Sequence, residues 1–409
     1  MPRRCRLCSG MELQLVADLG MLPLSRPHRK RVGAEPRYPL AVHLCASCGL
    51  LQVVNPIAPE QLYRDSENYT TSFQAHPHVG ELIGTLLAHT EAASVIEIGC
   101  NDGAFLESLR SAGFGPLTGI EPNHQAAELA KQKGFPVYEA MLTEELAGEI
   151  GLANGQIDLV AARHVVEHVV DLDAFFRAVR ILLRPDGYFL LELPHVEPGL
   201  VAGNPCLLWE EHVNYFVEPV ILRMLAKYGY VPEVKRLYTF GGGVIAFLAR
   251  RAAAPAEVGS APTMPQREFG EYRARVAAFR DGLREVVGIA RAAGWEVGVY
   301  GAANRSNTVI NHAGIGDQID CVIDDRVDLA GQVFPGVPGS IRPLVEIPPP
   351  DRGLLCLLGV GAEAERKVSA RVRQRFPDLP VVFSSLVYPR DGLQGFRCAA
   401  AEIRASLLR

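Results

Sequence analysis

The sequence has no run of about 18 uncharged apolar residues, the length a membrane-spanning helix needs. It also has no surplus of positive charge: Lys and Arg number 41 and Asp and Glu 46, a formal net charge of −5. A general nucleic-acid binder would carry a basic excess, so neither nucleic acid nor membrane is an expected partner. The opening residues, Met-Pro-Arg-Arg-Cys, lack the apolar stretch of a secretory signal, and a cytoplasmic protein is the expectation. Nine cysteines, an odd count, fit a disulfide framework poorly and suit a reducing compartment. No internal repeat is evident. The hydrophobic fraction of 48% and charged fraction of 21% exclude wholesale disorder, and 409 residues leave room for two to four domains.

Four of the cysteines fall close together. Cys5 and Cys8 form one C-x-x-C and Cys45 and Cys48 another. Two residues between cysteines let both sulfurs of a tight turn point at one ion, and two such turns supply a tetrahedral zinc site. The stretch between the pairs is longer than the spacing of about 15 to 20 residues in compact fingers. It reads as short strands, Leu13 to Asp18 and Tyr38 to Leu44, as in a zinc ribbon. With all four positions filled the metal is structural; four free thiols in a reduced core are the alternative.

From residue 78 the pattern becomes α/β. Apolar residues recur at helical spacing through Thr90, and a strand follows, Ser94-Val-Ile-Glu-Ile-Gly99, then Cys100-Asn-Asp-Gly103 and a new helix. A Gly-bearing turn between strand and helix lets a ligand approach the backbone and the free N–H groups of the helix start. The second strand ends in Glu121-Pro122, where nucleotide-binding folds hold a ribose diol. The turn is not G-x-G-x-x-G; it carries Glu97, Gly99 and Gly103. Further strands are expected at Phe135–Tyr138, Gln156–Ala162 and Tyr188–Leu193, with a closing hairpin from Val231–Leu237 and Val244–Arg250.

Two histidine-bearing segments follow strands whose carboxyl ends face a ligand in such folds. Arg163-His164-Val-Val-Glu167-His168 follows the fourth, and Trp209-Glu210-Glu211-His212-Val-Asn214 follows the fifth. A histidine beside acidic groups suits proton transfer near neutral pH. His164 and His168, at i and i+4, also have the spacing of a metal pair on a helix, and His164 reads equally as a core or helix-start residue.

Past an Ala/Pro-rich linker, Ala252–Gln266, a long helix Arg267–Ala293 precedes the strand Glu296–Tyr300 and the turn Gly301-Ala-Ala-Asn-Arg305-Ser306-Asn307. Strands are expected at Asp317–Asp325 and Gly353–Val360, a second Rossmann-like unit without a glycine fingerprint. Arg305 could meet a phosphate or merely cap its helix. The five remaining cysteines, Cys100, Cys206, Cys321, Cys356 and Cys398, read as buried or near-site thiols.

The E-x-G-C-N-D-G turn, with Leu183, Pro185 and Gly187 ahead of the fifth strand, resembles the class I S-adenosylmethionine-dependent methyltransferases. Asn101 stands where that class usually has a glycine. Together with the cysteine ribbon, the E-H-x-N-Y-F segment and a Gly-rich hairpin, the whole chain resembles the three-domain deoxysugar C-methyltransferases. The resemblance implies an α/β fold with a zinc ribbon-like module over 1–65, a cofactor domain over 66–251 and a Rossmann-like domain over 252–409. It implies S-adenosylmethionine held by Glu97, Gly99, Asn101, Gly103, Glu121, Pro122, Arg163 and His164, and structural Zn2+ on Cys5, Cys8, Cys45 and Cys48. It implies methylation of C3 of a nucleotide-linked 4-keto deoxysugar. His212 is the preferred base and His168 the runner-up, with Tyr69, Glu211 and Asn214 orienting or stabilising. Trp209, Phe240, Arg305 and Asn307 fall where the acceptor would be read; Trp209 and Phe240 replace a tyrosine and a histidine. An O- or N-methyltransferase of another small metabolite, or a zinc-ribbon interaction protein, are the competing expectations.

Overall fold

The computed structural model describes residues 4–26, 35–59, 62, 78–91, 94–239, 242–255, 266–386 and 393–407, residues 266–268 by backbone only. Tyr69 and Phe240 lie outside them. The chain divides into two compact units: Met1–Gln14, His43–Val196 and Glu211–Met264 form the first, and Leu15–Val42, Glu197–Glu210 and Pro265–Arg409 the second. None of the described helices is long and apolar enough to cross a membrane.

The N-terminal segment supplies β1 (Leu13–Pro23), β2 (Arg37–Cys45) and β3 (Leu51–Val53). The cofactor-type sheet of the first unit is built from β4 (Val95–Ile98), β5 (Leu117–Ile120), β6 (Val137–Tyr138), β7 (Ile157–Arg163) and β8 (Leu183–Pro194). Outside it, β9 (Asn214–Tyr215) pairs antiparallel with β3. The hairpin of β10 (Tyr230–Tyr238) and β11 (Val244–Arg251) completes the sheet. Its order is β10–β11–β8–β7–β4–β5–β6, parallel except where β11 meets β8 and β10. The expected hairpin and all five expected strands are present.

Local chemistry sets these elements. All four residues of β4 are buried, as a central parallel strand requires. Helix Leu172–Leu182 buries Leu172, Phe175, Phe176, Val179 and Leu182, one face at a 3.6-residue period. Asp171 caps it, its side chain accepting from the Ala174 N–H, which contributes about 1 kcal/mol. Phe176 then stacks on Tyr228, ring centroids 4.2 Å apart. This packing leaves the carboxyl ends of β4, β5, β7 and β8 at one edge of that sheet.

The second unit holds β12 (Glu296–Tyr300), β13 (Cys321–Ile323), β14 (Ile341–Arg342), β15 (Leu354–Leu358) and β16 (Val381–Ser385). They form a wholly parallel sheet in the order β14–β13–β12–β15–β16, the Rossmann-like arrangement expected. β13 is shorter than Asp317–Asp325, because Gly316–Gln318 turn as a 3-10 helix before it. Cys398 corrects the reading of all five remaining thiols as buried or near a site: it is exposed. Helix Leu393–Ser406 turns Phe396, Ala399, Ala400 and Ile403 inward, and position 398 falls off that face.

Candidate functional site

The two C-x-x-C turns fold alike. Cys5 N–H donates to Gly10 O and Cys45 N–H to Leu50 O; Ser9 and Gly49, both at positive φ, return N–H bonds to Cys5 O and Cys45 O. This brings four sulfurs within 4.8 Å of one another, with Cys5–Cys48 at 3.4 Å and Cys8–Cys45 at 3.5 Å. A tetrahedral zinc ion with bonds of about 2.3 Å needs sulfurs about 3.8 Å apart, so the set fits the metal. The electrostatics agree. Hydrogen bonds from Cys48 and Cys5 push the Cys45 thiol below its ordinary pKa, and the Cys45 thiolate raises Cys5 to about 12. Packed sulfurs resist ionising together until a dication offsets their charge.

The cofactor-type turn follows β4. Gly99, Asn101 and Gly103 all have positive φ, at 70°, 49° and 77°. A Cβ on Gly99 would lie 2.6 Å from Val165 Cγ2, so glycine is required there for space as well as conformation. Asn101 replaces a glycine because asparagine tolerates the left-handed region. Its N–H donates to Glu121 Oε2 at 2.9 Å, and Asn123 N–H donates to Glu121 Oε1 at 2.8 Å. Burial raises the Glu121 pKa against those two bonds. Pro122 follows it, half-buried.

Beneath the turn lies a network that sequence reading assembled only in part. Glu192, within apolar β8, accepts from Arg163 Nη2 at 3.0 Å and lies 3.2 Å from both His78 Nε2 and His164 Nε2. Glu97 Oε1 is 3.9 Å from Arg163 Nη1, and Arg163 also lies over the Phe105 ring. Burial alone would raise the Glu192 pKa, but His164, His78 and Arg163 hold it far below the carboxylate range. Burial raises Glu97 to about 8 despite Arg163. Burial works against charge on His164, yet hydrogen bonds to Glu167 and Glu192 outweigh it and raise its pKa to about 9. Oε2 of Glu97 and Nε of Arg163 have no hydrogen-bond partner among the described residues, so the network retains polar capacity toward a ligand. Glu192 and His78 were missed; for Glu192 the available signal was a carboxylate inside the otherwise apolar run Tyr188–Leu193 of β8.

These shifts make a testable pH dependence. Glu97 and His164 hold protons in the fold that the unfolded chain releases at lower pH. The stabilisation is complete below their ordinary values of 4.5 and 6.5 and is lost as pH rises through about 8 and about 9. The ligand-free protein should therefore show a melting temperature that falls between about pH 7 and 9.5, by scanning fluorimetry. Glu192→Gln should flatten the upper part of that fall. A flat or rising profile for the unsubstituted protein contradicts the network.

The histidine segments come together. His164, at φ 53°, ends β7 in a left-handed turn, and Val166–His168 form a 3-10 turn. The i, i+4 spacing therefore does not put His164 and His168 on one helix. His168 and His212 meet edge to face, centroids 4.8 Å apart, and polar atoms of Glu167, His168 and His212 lie within 4.8 Å of one another. His168 Nδ1 is 2.9 Å from the Glu211 carbonyl. A carbonyl only accepts, so Nδ1 carries the proton and, in the neutral ring, Nε2 keeps a lone pair. His212, Glu211 and Asn214 are all buried. Asn214 Nδ2 donates to the carbonyls of Val169 at 2.7 Å and Val166 at 3.3 Å, bracing one segment on the other.

In the second unit, Trp209 is half-buried, and Glu210 beside it accepts from both the N–H and the hydroxyl of Ser25 at 2.7 Å. Arg305 lies in the first turn of helix Asn304–Ala313. Asn307 is buried, its Nδ2 donating to Pro335 O at 2.7 Å.

Sheet order, Gly-bearing turn and acidic strand end define an S-adenosylmethionine-dependent methyltransferase, and the family described as a methyltransferase domain matches residues 74–233. A zinc binding domain family matches residues 5–63 and a C-methyltransferase C-terminal domain family residues 256–354. Over 354 residues the chain is 29% identical to C-methyltransferase NovU of Streptomyces niveus, spanning 81% of this chain and 83% of that one. The chain thus carries a zinc binding domain, a methyltransferase domain and a C-methyltransferase C-terminal domain in that order, and is similar to that C-methyltransferase along most of its length. Ubiquinone biosynthesis O-methyltransferase of Methylobacterium nodulans is 39% identical over 103 residues, 24% of this chain and 40% of its own length. Among solved structures, the 1,6-didemethyltoxoflavin-N1-methyltransferase of Burkholderia thailandensis aligns over 56% of this chain and 99% of its own, at 17% identity and a TM-score of 0.38, too low to carry an argument.

Proposed function

We propose that this enzyme methylates C3 of a nucleotide-linked 4-keto deoxysugar through an enolate. The observation that carries the reading is the pairing of half-buried His168, after β7, with buried His212, in a chain with a C-methyltransferase C-terminal domain. Carbon methylation needs a base; a proton α to a ketone is the one such a histidine can remove. His212 takes that proton, and the electron pair moves into the carbonyl as the enolate forms. His168, its Nδ1–H fixed on Glu211 O, faces the edge of His212 and serves as runner-up base. Asn214 holds the two segments together, and Tyr69 and Glu211 complete the acceptor side.

S-adenosylmethionine, when bound, supplies an electrophilic methyl on its sulfonium. Glu121, Pro122 and the turn Gly99–Gly103 hold it, with Glu97, Arg163 and His164 shaping the floor. Trp209, Arg305 and Asn307 contact the acceptor, and Phe240 lines it. Cys5, Cys8, Cys45 and Cys48 hold a structural Zn2+. The domains run over 1–65, 66–251 and 252–409, and a cytoplasmic setting suits the thiols.

The enolate has its own signature. With S-adenosylhomocysteine in place of the methyl donor, the enzyme should exchange the C3 hydrogen of a nucleoside diphosphate-linked 4-keto-6-deoxyhexose in deuterium oxide, seen by proton NMR. Methyl transfer to that acceptor with no exchange at C3 would overturn the enolate route and favour the O- or N-methylation alternative.

A further inference from the structure

The N-terminal cysteine turns reach the His212 segment through one side chain that the mechanism above does not use. Arg6 stands between Cys5 and Cys8. Its Nη1 donates to the Val213 carbonyl at 3.2 Å and to Gln52 Oε1 at 3.3 Å, and its Nη2 donates to the Val53 carbonyl. Its backbone N–H also donates to Gln52 Oε1, at 3.1 Å. The Val213 carbonyl takes a second bond from Val53 N–H, while Val213 N–H donates to Glu167 O, both at 2.9 Å. The peptide units that flank Val213, directly after His212, are thus held from two sides.

The backbone alone holds this register weakly. β3 and β9 share two residue pairs, Leu51 with Tyr215 and Gln52 with Asn214. A slip of one residue in a strand pair turns every side chain to the opposite face, and pairs this short specify register poorly. A guanidinium is the group that prevents the slip, because its planar fork reaches several carbonyls at once and stays charged. Arg223 and Lys227 bond Cys48 O and Leu7 O, tying the cysteine turns to helix Glu218–Lys227, whereas Arg6 bonds the His212 segment itself.

We propose that Arg6 is a positioning residue for methyl transfer: it sets the register of residues 211–215 against β3 and so aims His212. The metal-binding module then acts on the reaction, and not on folding alone. This rests on His212 being the base.

The test compares Arg6→Ala and Arg6→Lys with the unsubstituted enzyme, using the nucleoside diphosphate-linked 4-keto-6-deoxyhexose as acceptor. Arg6→Ala should lower kcat at least tenfold, with zinc still at one per chain and S-adenosylmethionine affinity within twofold. The acid limb of its kcat–pH profile should move, which a purely structural residue would not cause. Arg6→Lys, keeping charge without the fork, should recover only part of the rate. A kcat within twofold, at full zinc content, overturns the proposal. Should Arg6→Ala fail to fold, Arg6→Lys decides by the same two readings. His212→Ala run in parallel separates the two claims. Full activity in that variant removes the base reading itself. An inactive His212→Ala beside an active Arg6→Ala removes only the role given to Arg6.

Discussion

His212→Ala should lower kcat by about a hundredfold to ten-thousandfold, the usual contribution of a positioned general base, while S-adenosylmethionine affinity stays within about twofold. The separation of the two effects follows from the fold. His212 belongs to the segment after β8, and the cofactor-type turn follows β4, with Glu121 at the end of β5. His212 is buried against His168, so truncation opens a small space beside a histidine whose own orientation is fixed by Glu211 O. His168→Ala should cost less, because His168 supports the base from outside the segment held at Val213. Isothermal titration gives the affinity and single-turnover kinetics the rate. A His212→Ala variant with undiminished turnover removes His212 as the base.

The second large effect concerns the metal. Cys48→Ser should reduce zinc from one per chain to below a tenth and unfold the cysteine turns. Structural zinc supplies about 10–16 kcal/mol of apparent folding free energy in small peptides, far more than the short strands here can replace. Cys48 is buried, and its carbonyl anchors Arg223, so a displaced turn also loses that bond. Metal analysis reads the first effect. Faster amide exchange over residues 45–53 reads the second, since Cys45 N–H and Val53 N–H hold the turn and its link to Val213. Full zinc content in the variant contradicts the four-sulfur site.

How much of this was legible differs by element. The strand–turn–helix around Gly99 and Gly103 could be read because its signals are local: an apolar run, glycines, then a helical period. Asn101 looked like a departure and proved compatible, since its left-handed conformation is one asparagine accepts. The paired cysteine turns were readable for the same reason. The Glu97–Arg163–Glu192 network was not, because its members sit on β4, β7 and β8 and meet only once the sheet is ordered. Arg6 was overlooked beside the cysteines because its acceptors lie 46 and 207 residues away. In the second unit β14 and β16 escaped notice: β14 has two residues, and β16, though its burial alternates position by position, has the sequence Val-Val-Phe-Ser-Ser, in which polar and apolar residues do not alternate.

Carbon methylation has one most direct measurement. The enzyme is given S-adenosylmethionine labelled with carbon-13 in its methyl group and a nucleoside diphosphate-linked 4-keto-6-deoxyhexose labelled at C3, and the product is read by carbon NMR. A new methyl signal split by one-bond coupling to C3 is the predicted result. A labelled methyl carried on oxygen or nitrogen, with no carbon–carbon coupling, would contradict it.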